Sequence, residues 1–521
     1  MNLQAILDLS LEHHKAGRYQ HAIDGYLKVL ATDPNHFDCH RLIANAYTSL
    51  DKHSSALIHL RAAIAIQPNS VTAQHNLALV LLELQQPAEA IEHLTLALAL
   101  DSPAWETYQA RADAYMQLKD YAQAAADYKH CLALSPVNFQ ARLALGNCYL
   151  EQKLPAQALV HFTECLKLEP DNANAICNLG TAYYETRDLV KASELFTRAI
   201  ELDPGLNIAK YNLACCYLVQ KDFISGFDLY EARHRLPEAK PRLKVIRQRT
   251  SQPLLQTRQN IAGQRLYVYY EQGLGDTLQF ARYLKQLKEL GAFIIFECQT
   301  PLKPLFQFTD YIDILICPAD PVPAHDLHCP LLSLPLILGS NANNIPAPLR
   351  LDSPKLKALD SWALRFQSMQ RPVIGICWRG SNSFGRDVRS MPLVSLLPFL
   401  PTKMRYISVQ KEHDPMELAI LNAANIPHFG TEQTDFAMAA ALFMQLDAVI
   451  SIDTSVPHLA ASLAIPTYLL LPYTSEWRWF LNEDKTPWYP SMTLIRQTAP
   501  NDWNTPLLQL NQTISSDIIG K

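Results

Sequence analysis

A fixed spacing of thirty-four residues runs through the first part of this chain. Proline occupies one slot of the period, with serine replacing it once: Pro34, Pro68, Ser102, Pro136, Pro170 and Pro204. A second slot always holds alanine: Ala22, Ala56, Ala90, Ala124, Ala158 and Ala192. A third holds only alanine or glycine: Ala44, Ala78, Ala112, Gly146, Gly180 and Ala214. Chance does not produce so many matches, so this region is built from a repeated unit.

Each unit is typical of two antiparallel helices. Small residues stand where the helices touch, and proline ends the second helix. One larger side chain per unit fills the groove between them: Tyr26, Leu60, Leu94, Tyr128, Phe162 and Phe196. This period is that of the tetratricopeptide repeat (TPR). The pattern predicts an α-solenoid over residues 1–234, with six repeats and a seventh that begins at Leu206 and caps the stack. A solenoid of this kind is expected to bind a protein in its groove.

Composition excludes several classes of protein. The 521 residues allow more than one domain, and a formal net charge of −5 gives no basic patch for nucleic acid. The eleven cysteines include no C-x-x-C pair, which favours buried free thiols over a disulfide framework or a zinc site. The start of the chain has no signal-peptide pattern, and no apolar run is long enough to cross a membrane. We expect a soluble cytoplasmic protein.

The pattern changes after the repeats. Residues 235–261 are basic and lack a period, so a connector is expected there. Strand-like runs then alternate with helical ones: RLYVYY, FIIFEC and IDILIC, followed after a break by VIGICW, MRYISVQ, AVISID and PTYLLLPY. This alternation predicts two doubly wound parallel sheets, in an α/β pair of Rossmann-like lobes over 262–365 and 366–521. A ligand is expected between the carboxyl ends of the two sheets.

The first loop with candidate functional residues follows RLYVYY. Its cleft candidates are Glu271, Gln272, Gly273 and Gly275. Two glycines one residue apart allow a ligand to approach the backbone at a helix start. Asp276 has two interpretations. With Gln279 three residues on, it is placed to be the N-cap of the helix in a capping box. Alternatively, its carboxylate faces the cleft as a general base, with Glu271 as the base if Asp276 only caps.

The second loop follows VIGIC. Arg379, after Trp378, suits the recognition of phosphate oxygens, whereas the alternative is a solvated charged loop that also holds Arg386, Asp387 and Arg389. Gln410 and Lys411 follow the next predicted strand and are further cleft candidates.

The third loop follows AVISI and is the most specific of the three. Asp453 ends the strand, Thr454 or Ser455 can cap the next helix, and Pro457 lies in its first turn, where proline is tolerated. Free N–H groups at that helix end would bind an anion such as a pyrophosphate. His458 lies in the same turn, either in a structural role or as part of the anion site.

Aromatic residues gather near the end of the chain, in PYTSEWRWF and TPWYP. Trp479 and Trp488 are expected to form a core that bridges the lobes. Glu476 and Arg478 are candidates for the lining of the cleft.

Several blocks together resemble a known family: EQGLGDTLQFARY, DLHCPLLSLPLILG, GICWRGS, ISVQKE, ISIDTSVPHLAASL, PYTSEWRWF and TPWYPSMTLIRQ. They are similar to bacterial TPR-coupled glycosyltransferases whose catalytic half resembles the ADP-heptose:lipopolysaccharide heptosyltransferases, with the GT-B fold. The resemblance implies Asp276 as base, on an acceptor-side first lobe. It also implies a second lobe that holds the donor phosphates with Arg379 and with Asp453, Thr454, Ser455 and His458.

The resemblance leaves the donor open. A lysine that many heptosyltransferases use after GICW is replaced by Arg379. Similarity to TPR-bearing transferases that modify flagellin allows a nonulosonic acid donor in place of ADP-heptose. No D-x-D motif follows a predicted strand, which agrees with metal-independent, inverting GT-B chemistry and no cofactor beyond the nucleotide-sugar.

The sequence therefore predicts a glycosyltransferase that modifies a hydroxyl of a protein held by the solenoid. The resemblance implies a flagellin-like protein as one such acceptor. Two rival hypotheses remain. One is a catalytically inactive TPR scaffold with a nucleotide-binding α/β half. The other is a transferase with a saccharide or lipid-linked acceptor, whose repeats serve oligomerisation.

Overall fold

The structure is a computed structural model that describes residues 3–100, 104–349, 362–380 and 389–519. Ser102, Arg386 and Asp387, which the sequence interpretation used, lie outside the described residues. The chain forms two compact units, Met1–Lys191 and Ala192–Lys521. The division falls inside a repeat helix, so the last repeat groups with the α/β region rather than with the earlier repeats.

Fourteen helices in residues 3–230 form seven consecutive pairs, in agreement with the predicted repeats. They are α1 Leu3–Lys15, α2 Tyr19–Leu30, α3 Phe37–Thr48, α4 His53–Ile66, α5 Val71–Glu83, α6 Pro87–Leu100, α7 Trp105–Gln117, α8 Tyr121–Leu134, α9 Phe139–Glu151, α10 Pro155–Leu168, α11 Ala173–Glu185, α12 Leu189–Leu202, α13 Asn207–Val219 and α14 Phe223–Tyr230.

The periodic residues are buried as predicted. All six alanines of the second slot, and every large side chain of the groove slot, are buried. The packing is tight at Gly146, where a Cβ atom would lie 2.7 Å from Cζ of Phe162. A small residue is therefore required wherever the facing helix presents a phenylalanine ring.

The turn inside each helix pair shows a period that the sequence interpretation missed. One residue per turn has a positive φ, at Gly17, Asp51, Gln85, Lys119, Lys153, Arg187 and Lys221. These positions are thirty-four residues apart, but only one is glycine. A left-handed residue ends a helix by capping its last carbonyls, and most side chains here accept that conformation at a modest cost.

The remaining chain builds two parallel sheets. The strands are β1 Arg265–Tyr269, β2 Phe293–Glu297, β3 Ile314–Ile316, β4 Leu327–Pro330, β5 Val373–Cys377, β6 Arg405–Ser408, β7 Ala448–Ile452, β8 Thr467–Leu471 and β9 Met492–Arg496. The first sheet has the order β3-β2-β1-β4 and the second β6-β5-β7-β8-β9. Every strand pairing in both is parallel. The predicted class of two parallel sheets with helices is thus present.

Eleven further helices follow the repeats in the described residues. They are α15 Lys240–Arg249, α16 Leu274–Phe280, α17 Arg282–Glu289, α18 Lys303–Phe306, α19 Leu334–Ile337, α20 Ala363–Gln367, α21 Leu393–Leu396, α22 Pro415–Ala423, α23 Phe436–Phe443, α24 Ser455–Ser462 and α25 Asn504–Ile514.

The segment 235–261 is more ordered than the predicted connector. It contains α15, whose Arg242 and Arg249 both form ion pairs with the fully buried Glu297 at the end of β2. Leu254 forms a parallel bridge with His328 of β4. Two arginines that give this segment its basic character thus neutralise a buried carboxylate of the first sheet.

The last repeat packs against the α/β region through aromatic rings. Phe223 stacks on Trp488 with ring centroids 5.7 Å apart, and Phe227 meets the edge of Trp477 at 5.8 Å. Tyr230 contacts Trp477 at 5.7 Å. Helix α14 is therefore a component of the α/β unit as well as the end of the repeat series.

All eleven cysteines are free thiols, and ten of them are buried, as the sequence predicted. Among the helices of the described residues, none is both long and apolar enough to span a membrane.

The Gly146–Phe162 contact gives a test of the repeat packing. We expect Gly146→Ala to lower the unfolding free energy by about 1–3 kcal/mol, because its Cβ overpacks against the Phe162 ring. Adding Phe162→Leu is expected to restore part of that loss, since other repeats combine alanine with leucine at these slots. Urea unfolding followed by circular dichroism measures both. An unchanged midpoint in Gly146→Ala, or a double variant weaker than either single one, contradicts this packing.

Candidate functional site

The strand order reverses direction at one place in each sheet, and the candidate loops lie at both places. In the first sheet, β1 separates β2 from β4, and in the second, β5 separates β6 from β7. Parallel sheets bind ligands at the carboxyl ends of the strands beside such a reversal. The loop 271–276 follows β1, Trp378 and Arg379 follow β5, and Asp453 follows β7. Three separate loops are thus brought to the positions where a ligand is expected.

The crevice of the first sheet already holds a side chain from the repeats. Arg233, just after α14, is 4% exposed and donates from Nε and Nη2 to the two oxygens of Glu271 at 3.2 and 3.1 Å. Its Nη2 also donates to Ser333 Oγ at 2.8 Å, just beyond β4. Ser333 in turn donates to Glu231. Arg233 therefore bridges the ends of β1 and β4.

Glu271 has a structural role in this arrangement. One of its oxygens also accepts from the Leu332 N–H at 3.0 Å. Both oxygens of Glu271 therefore already accept hydrogen bonds, from Arg233 and from the Leu332 N–H, which argues against Glu271 as the base. Gln272 is exposed, and its carbonyl accepts from Gln299 Nε2 at 2.9 Å.

Asp276 is not the N-cap that one interpretation proposed. Helix α16 begins at Leu274, so Gly273 is the N-cap and Asp276 lies in the first turn. Its Oδ2 accepts from the Gly273 N–H at 2.9 Å, which is half of a capping box made by the third helical residue. The proposed partner Gln279 is fully buried, and neither of its side-chain polar atoms has a hydrogen-bond partner in the described part of the chain.

The other oxygen of Asp276 faces the second lobe. Oδ1 accepts from Nη2 of the buried Arg478, which also pairs with the exposed Glu476. Burial raises the pKa of Asp276, the charge of Arg478 opposes this, and Glu476 adds to the rise. A raised pKa makes a carboxylate a stronger base than an ordinary aspartate, which is a property of a general base.

The two lobes meet at Gly275. A Cβ atom there would lie 2.8 Å from Cδ2 of His458, in the first turn of α24. His458 is buried, and its Nδ1 is hydrogen bonded to Tyr489 Oη at 3.0 Å. Burial, followed by the charges of Arg478 and Arg282, lowers the pKa of His458 to about 3. The imidazole is therefore neutral near pH 7 and packs the second lobe against the glycine loop.

The start of α24 offers fewer donors than the sequence suggested. Thr454 is its N-cap, and the Thr454 hydroxyl accepts from the Val456 N–H at 3.2 Å. Pro457 has no N–H. Ser455, the first residue of the helix, carries an amide and a hydroxyl that can donate to an anion.

Asp453 lies beside this helix start and is 8% exposed. Burial, followed by the charge of Glu476, raises the pKa of Asp453 to about 7. Near neutral pH this carboxyl can donate a hydrogen bond as well as accept one. A protonated Asp453 does not repel a phosphate, whereas an ionised one does.

Arg379 is engaged by a residue that the sequence interpretation did not select. Its Nε and Nη2 donate to the two oxygens of Glu417 at 3.0 and 2.9 Å. The buried Trp378 indole donates to the same carboxylate at 2.8 Å. Gln410 braces the backbone, since its side chain accepts from the Arg379 N–H at 3.3 Å and donates to the Arg379 carbonyl at 2.9 Å. A phosphate that binds Arg379 must therefore share the guanidinium with Glu417.

A cavity of about 350 Å³ opens beside that ion pair, at the ends of β5 and β6. Its wall is mainly apolar, with Met391, Leu393, Met416 and Ile420, and Arg379 and Glu417 lie at its polar part. Such a cavity suits a flat, partly polar ligand group. Lys411, beyond β6, is exposed and does not line it.

The sequence interpretation anticipated the aromatic core and Arg478 but missed Arg282. Trp479 and Trp488 are fully buried as expected. Arg282 donates from Nη1 to the Trp488 carbonyl at 2.7 Å, which ties α17 of the first lobe to the TPWYP segment. In the described residues no group of three or more histidine, cysteine, aspartate or glutamate side chains is placed to hold a metal ion.

The comparisons with known proteins identify the repeats. Tetratricopeptide repeat models match residues 71–103, 110–173 and 150–214. Similar solved structures include YrrB, described as a TPR protein with an unusual peptide-binding site (20% identity, 35% of this chain and 95% of that one, TM-score 0.33). Another is the C-terminal part of a TPR protein from Cytophaga hutchinsonii (17% identity, 44% and 95%, TM-score 0.38). PilF from Pseudomonas aeruginosa is a third (21% identity, 42% and 99%, TM-score 0.34).

No curated protein matches the chain. The three matched ranges all lie within the helix pairs, so the comparisons establish TPR repeats in the N-terminal part of the chain.

The neutral His458 predicts a pH dependence of stability. Its folded pKa of about 3 lies below the ordinary 6.5, so its contribution to stability is present above pH 6.5 and is lost as pH falls toward 3. Relative to His458→Gln, the unfolding free energy of the wild type is expected to fall by up to ~1.4 kcal/mol per pH unit in that window. Urea unfolding at several pH values measures the difference. Parallel curves for the two proteins contradict a buried neutral imidazole.

Proposed function

We propose that the protein is a glycosyltransferase that moves a sugar from a nucleotide-sugar to a hydroxyl of a protein held by its TPR repeats. The observation that carries this proposal is the pairing of Asp276, at the end of β1, with Arg478 of the second lobe. That pair places a carboxylate with a raised pKa where the carboxyl ends of the two sheets meet. The resemblance to GT-B transferases described above assigns the base to the same residue.

The donor is assigned to the second lobe. The Ser455 amide and hydroxyl at the start of α24 offer hydrogen bonds to phosphate oxygens, and the partial positive charge of the helix end favours them. The cavity beside Arg379 and Glu417 accepts the nucleoside end. This assignment is compatible with either an ADP-linked heptose or a CMP-linked nonulosonic acid.

The acceptor is assigned to the first lobe. The hydroxyl oxygen of the acceptor attacks the anomeric carbon of the sugar, and the bond from that carbon to the phosphate oxygen breaks. The hydroxyl proton passes to Asp276, and the nucleotide leaves with the electrons of the broken bond. Arg478 holds the carboxylate in place and offsets the negative charge that develops on the leaving phosphate.

The TPR repeats are the proposed binding site for the acceptor protein. Helix pairs of this kind form surfaces that bind other proteins. The last pair packs directly on Trp477 and Trp488, next to Arg478. The last helix pair and Asp276 therefore belong to the same compact unit.

A scaffold without activity is the second candidate. It is favoured by the ion pairs that engage Asp276 with Arg478 and Arg379 with Glu417, since a retained fold keeps such pairs even after activity is lost. A measured turnover decides between the two.

Nucleotide binding is the first test. Thermal-shift measurements with ADP-heptose, CMP-N-acetylneuraminate, UDP-N-acetylglucosamine and GDP-mannose are expected to show a raised melting temperature with at least one, because a ligand of the native state stabilises it. Ser455→Ala is expected to weaken that binding by ~1–3 kcal/mol, the scale of a hydrogen bond to a charged group. Ser462→Ala, at the other end of α24, is the matched control. No shift with any probe, or equal affinities in both variants, argues against a donor site at this helix.

Turnover is the second test. With the nucleotide-sugar identified above and the captured protein, Asp276→Asn is expected to lower the transfer rate by ~10²–10⁴, because the amide cannot accept the proton. Nucleotide affinity is expected to stay within about twofold, since the donor contacts lie in the other lobe.

Glu476→Gln is the control for this test, because Glu476 pairs with the same guanidinium. It is expected to lower the rate far less than Asp276→Asn does, because the carboxylate of Asp276 and its bond to Arg478 remain. A near-normal transfer rate in Asp276→Asn, or equal losses of rate in Asp276→Asn and Glu476→Gln, contradicts a catalytic role for Asp276. Either result favours the inactive scaffold.

A further inference from the structure

We infer that Arg233 is a positioning residue for the loop 271–276, through which the last TPR repeat holds Asp276 in place for catalysis. The part of this inference that concerns catalysis rests on the proposed function. The part that concerns the loop does not.

Arg233 is anchored on the repeat side. It follows α14 directly, and its Nη1 donates to the Tyr230 carbonyl at 3.2 Å and to Glu231 at 2.5 Å. The guanidinium lies over the Tyr230 ring, 4.9 Å from its centroid. The position of this cation is therefore set by the last repeat, whose Tyr230 also packs on Trp477.

On the lobe side, Arg233 makes contacts at the ends of both strands that border the crevice. The two-pronged pairing with Glu271 fixes the residue that begins the glycine loop. The bond to Ser333 fixes the chain beyond β4. An arginine that pairs through two parallel N–H groups fixes direction as well as distance, which a lysine cannot do.

The loop transmits this anchor to Asp276 in few steps. Gln272 is held by Gln299, and the next amide, that of Gly273, donates to Asp276 Oδ2. Gly275 is pressed against His458, so the far end of the loop has no spare room. Loss of Arg233 leaves the nearly buried Glu271 with only the His234 ring, 3.4 Å away, as a side chain that can carry the opposite charge. A buried carboxylate that has lost its arginine moves toward water. We expect the glycine loop to move with it.

A matched control is available in the same chain. Arg249, on α15, also pairs with a buried carboxylate of the first sheet, at 3.0 Å from Glu297. It donates to the backbone of residues 318 and 320, away from the glycine loop. Arg233→Met and Arg249→Met therefore each remove an arginine from a buried carboxylate of the first sheet, and only the first variant touches the loop. Glu297 keeps Arg242 as a partner in Arg249→Met.

Hydrogen exchange measured by mass spectrometry tests the loop directly, in the full chain and without any substrate. Peptides covering residues 270–280 are expected to exchange about tenfold faster in Arg233→Met than in the wild type, because the Gly273 amide loses its fixed acceptor. In Arg249→Met the same peptides are expected to exchange at the wild-type rate. Equal exchange in the two variants overturns the inference.

Transfer kinetics test the catalytic part. Arg233→Met is expected to lower kcat by roughly 10- to 100-fold with the donor KM within twofold, as a small displacement of a reacting group does. Arg233→Lys keeps the positive charge but cannot form two parallel N–H bonds, so its kcat is expected to lie between those of Arg233→Met and the wild type. The kcat of Arg249→Met is expected to match that of the wild type. A looser loop with unchanged kcat overturns the positioning role. If the wild type shows no transfer, the proposed function is overturned. Faster exchange of the loop in Arg233→Met would in that case still support the conclusion that Arg233 fixes the loop.

Discussion

The contact between α14 and the tryptophans of the second lobe is the interaction on which the larger unit depends. Phe223, Phe227 and Tyr230 lie against Trp477 and Trp488, and all five rings are buried. Large aromatic side chains of this kind contribute much of the apolar area that stabilises a core. A terminal repeat normally presents a polar outer face, but this one presents rings to another domain. The last repeat is for this reason part of the α/β fold, and the division between compact units lies earlier, at residue 191.

The parts of the fold that could be predicted from sequence are those set by local periodicity. The thirty-four-residue spacing located every helix pair, and continuous apolar runs such as VIGIC and TYLLL located strands that are buried on both faces. Strand β4 was missed because LHCP contains a polar residue and a proline, and β9 because MTLIR follows a turn-rich segment. Helix α22 had a usable signal that was overlooked, since Asp414 and Glu417 form a capping box around Pro415.

The loops of the candidate site could be predicted, but their electrostatic partners could not. A residue after a buried parallel strand reaches the carboxyl edge of its sheet, which is why Asp276, Arg379 and Asp453 lie at the two reversals. The partner of each charge is a matter of long-range folding. Arg478 is 202 residues from Asp276 along the chain, so the local sequence around either residue does not indicate that they pair. The same holds for Arg233 and Glu271, whose pairing converts a candidate base into an anchor.

The balance of charge around Arg478 limits what the site can bind. Asp276 and Glu476 pair with Arg478, and Asp453 experiences the unfavourable charge of Glu476 as well as the favourable charges of Arg389 and Arg478. Three ionised carboxylates in this region would repel a phosphate, and desolvation makes their proximity still less favourable. The pKa of about 7 at Asp453 relieves this excess, because that carboxyl retains a proton near neutral pH. The same protonated group adds a donor next to Ser455. The acidic cluster beside the start of α24 is compatible with an anionic ligand because the Asp453 carboxyl retains its proton near neutral pH.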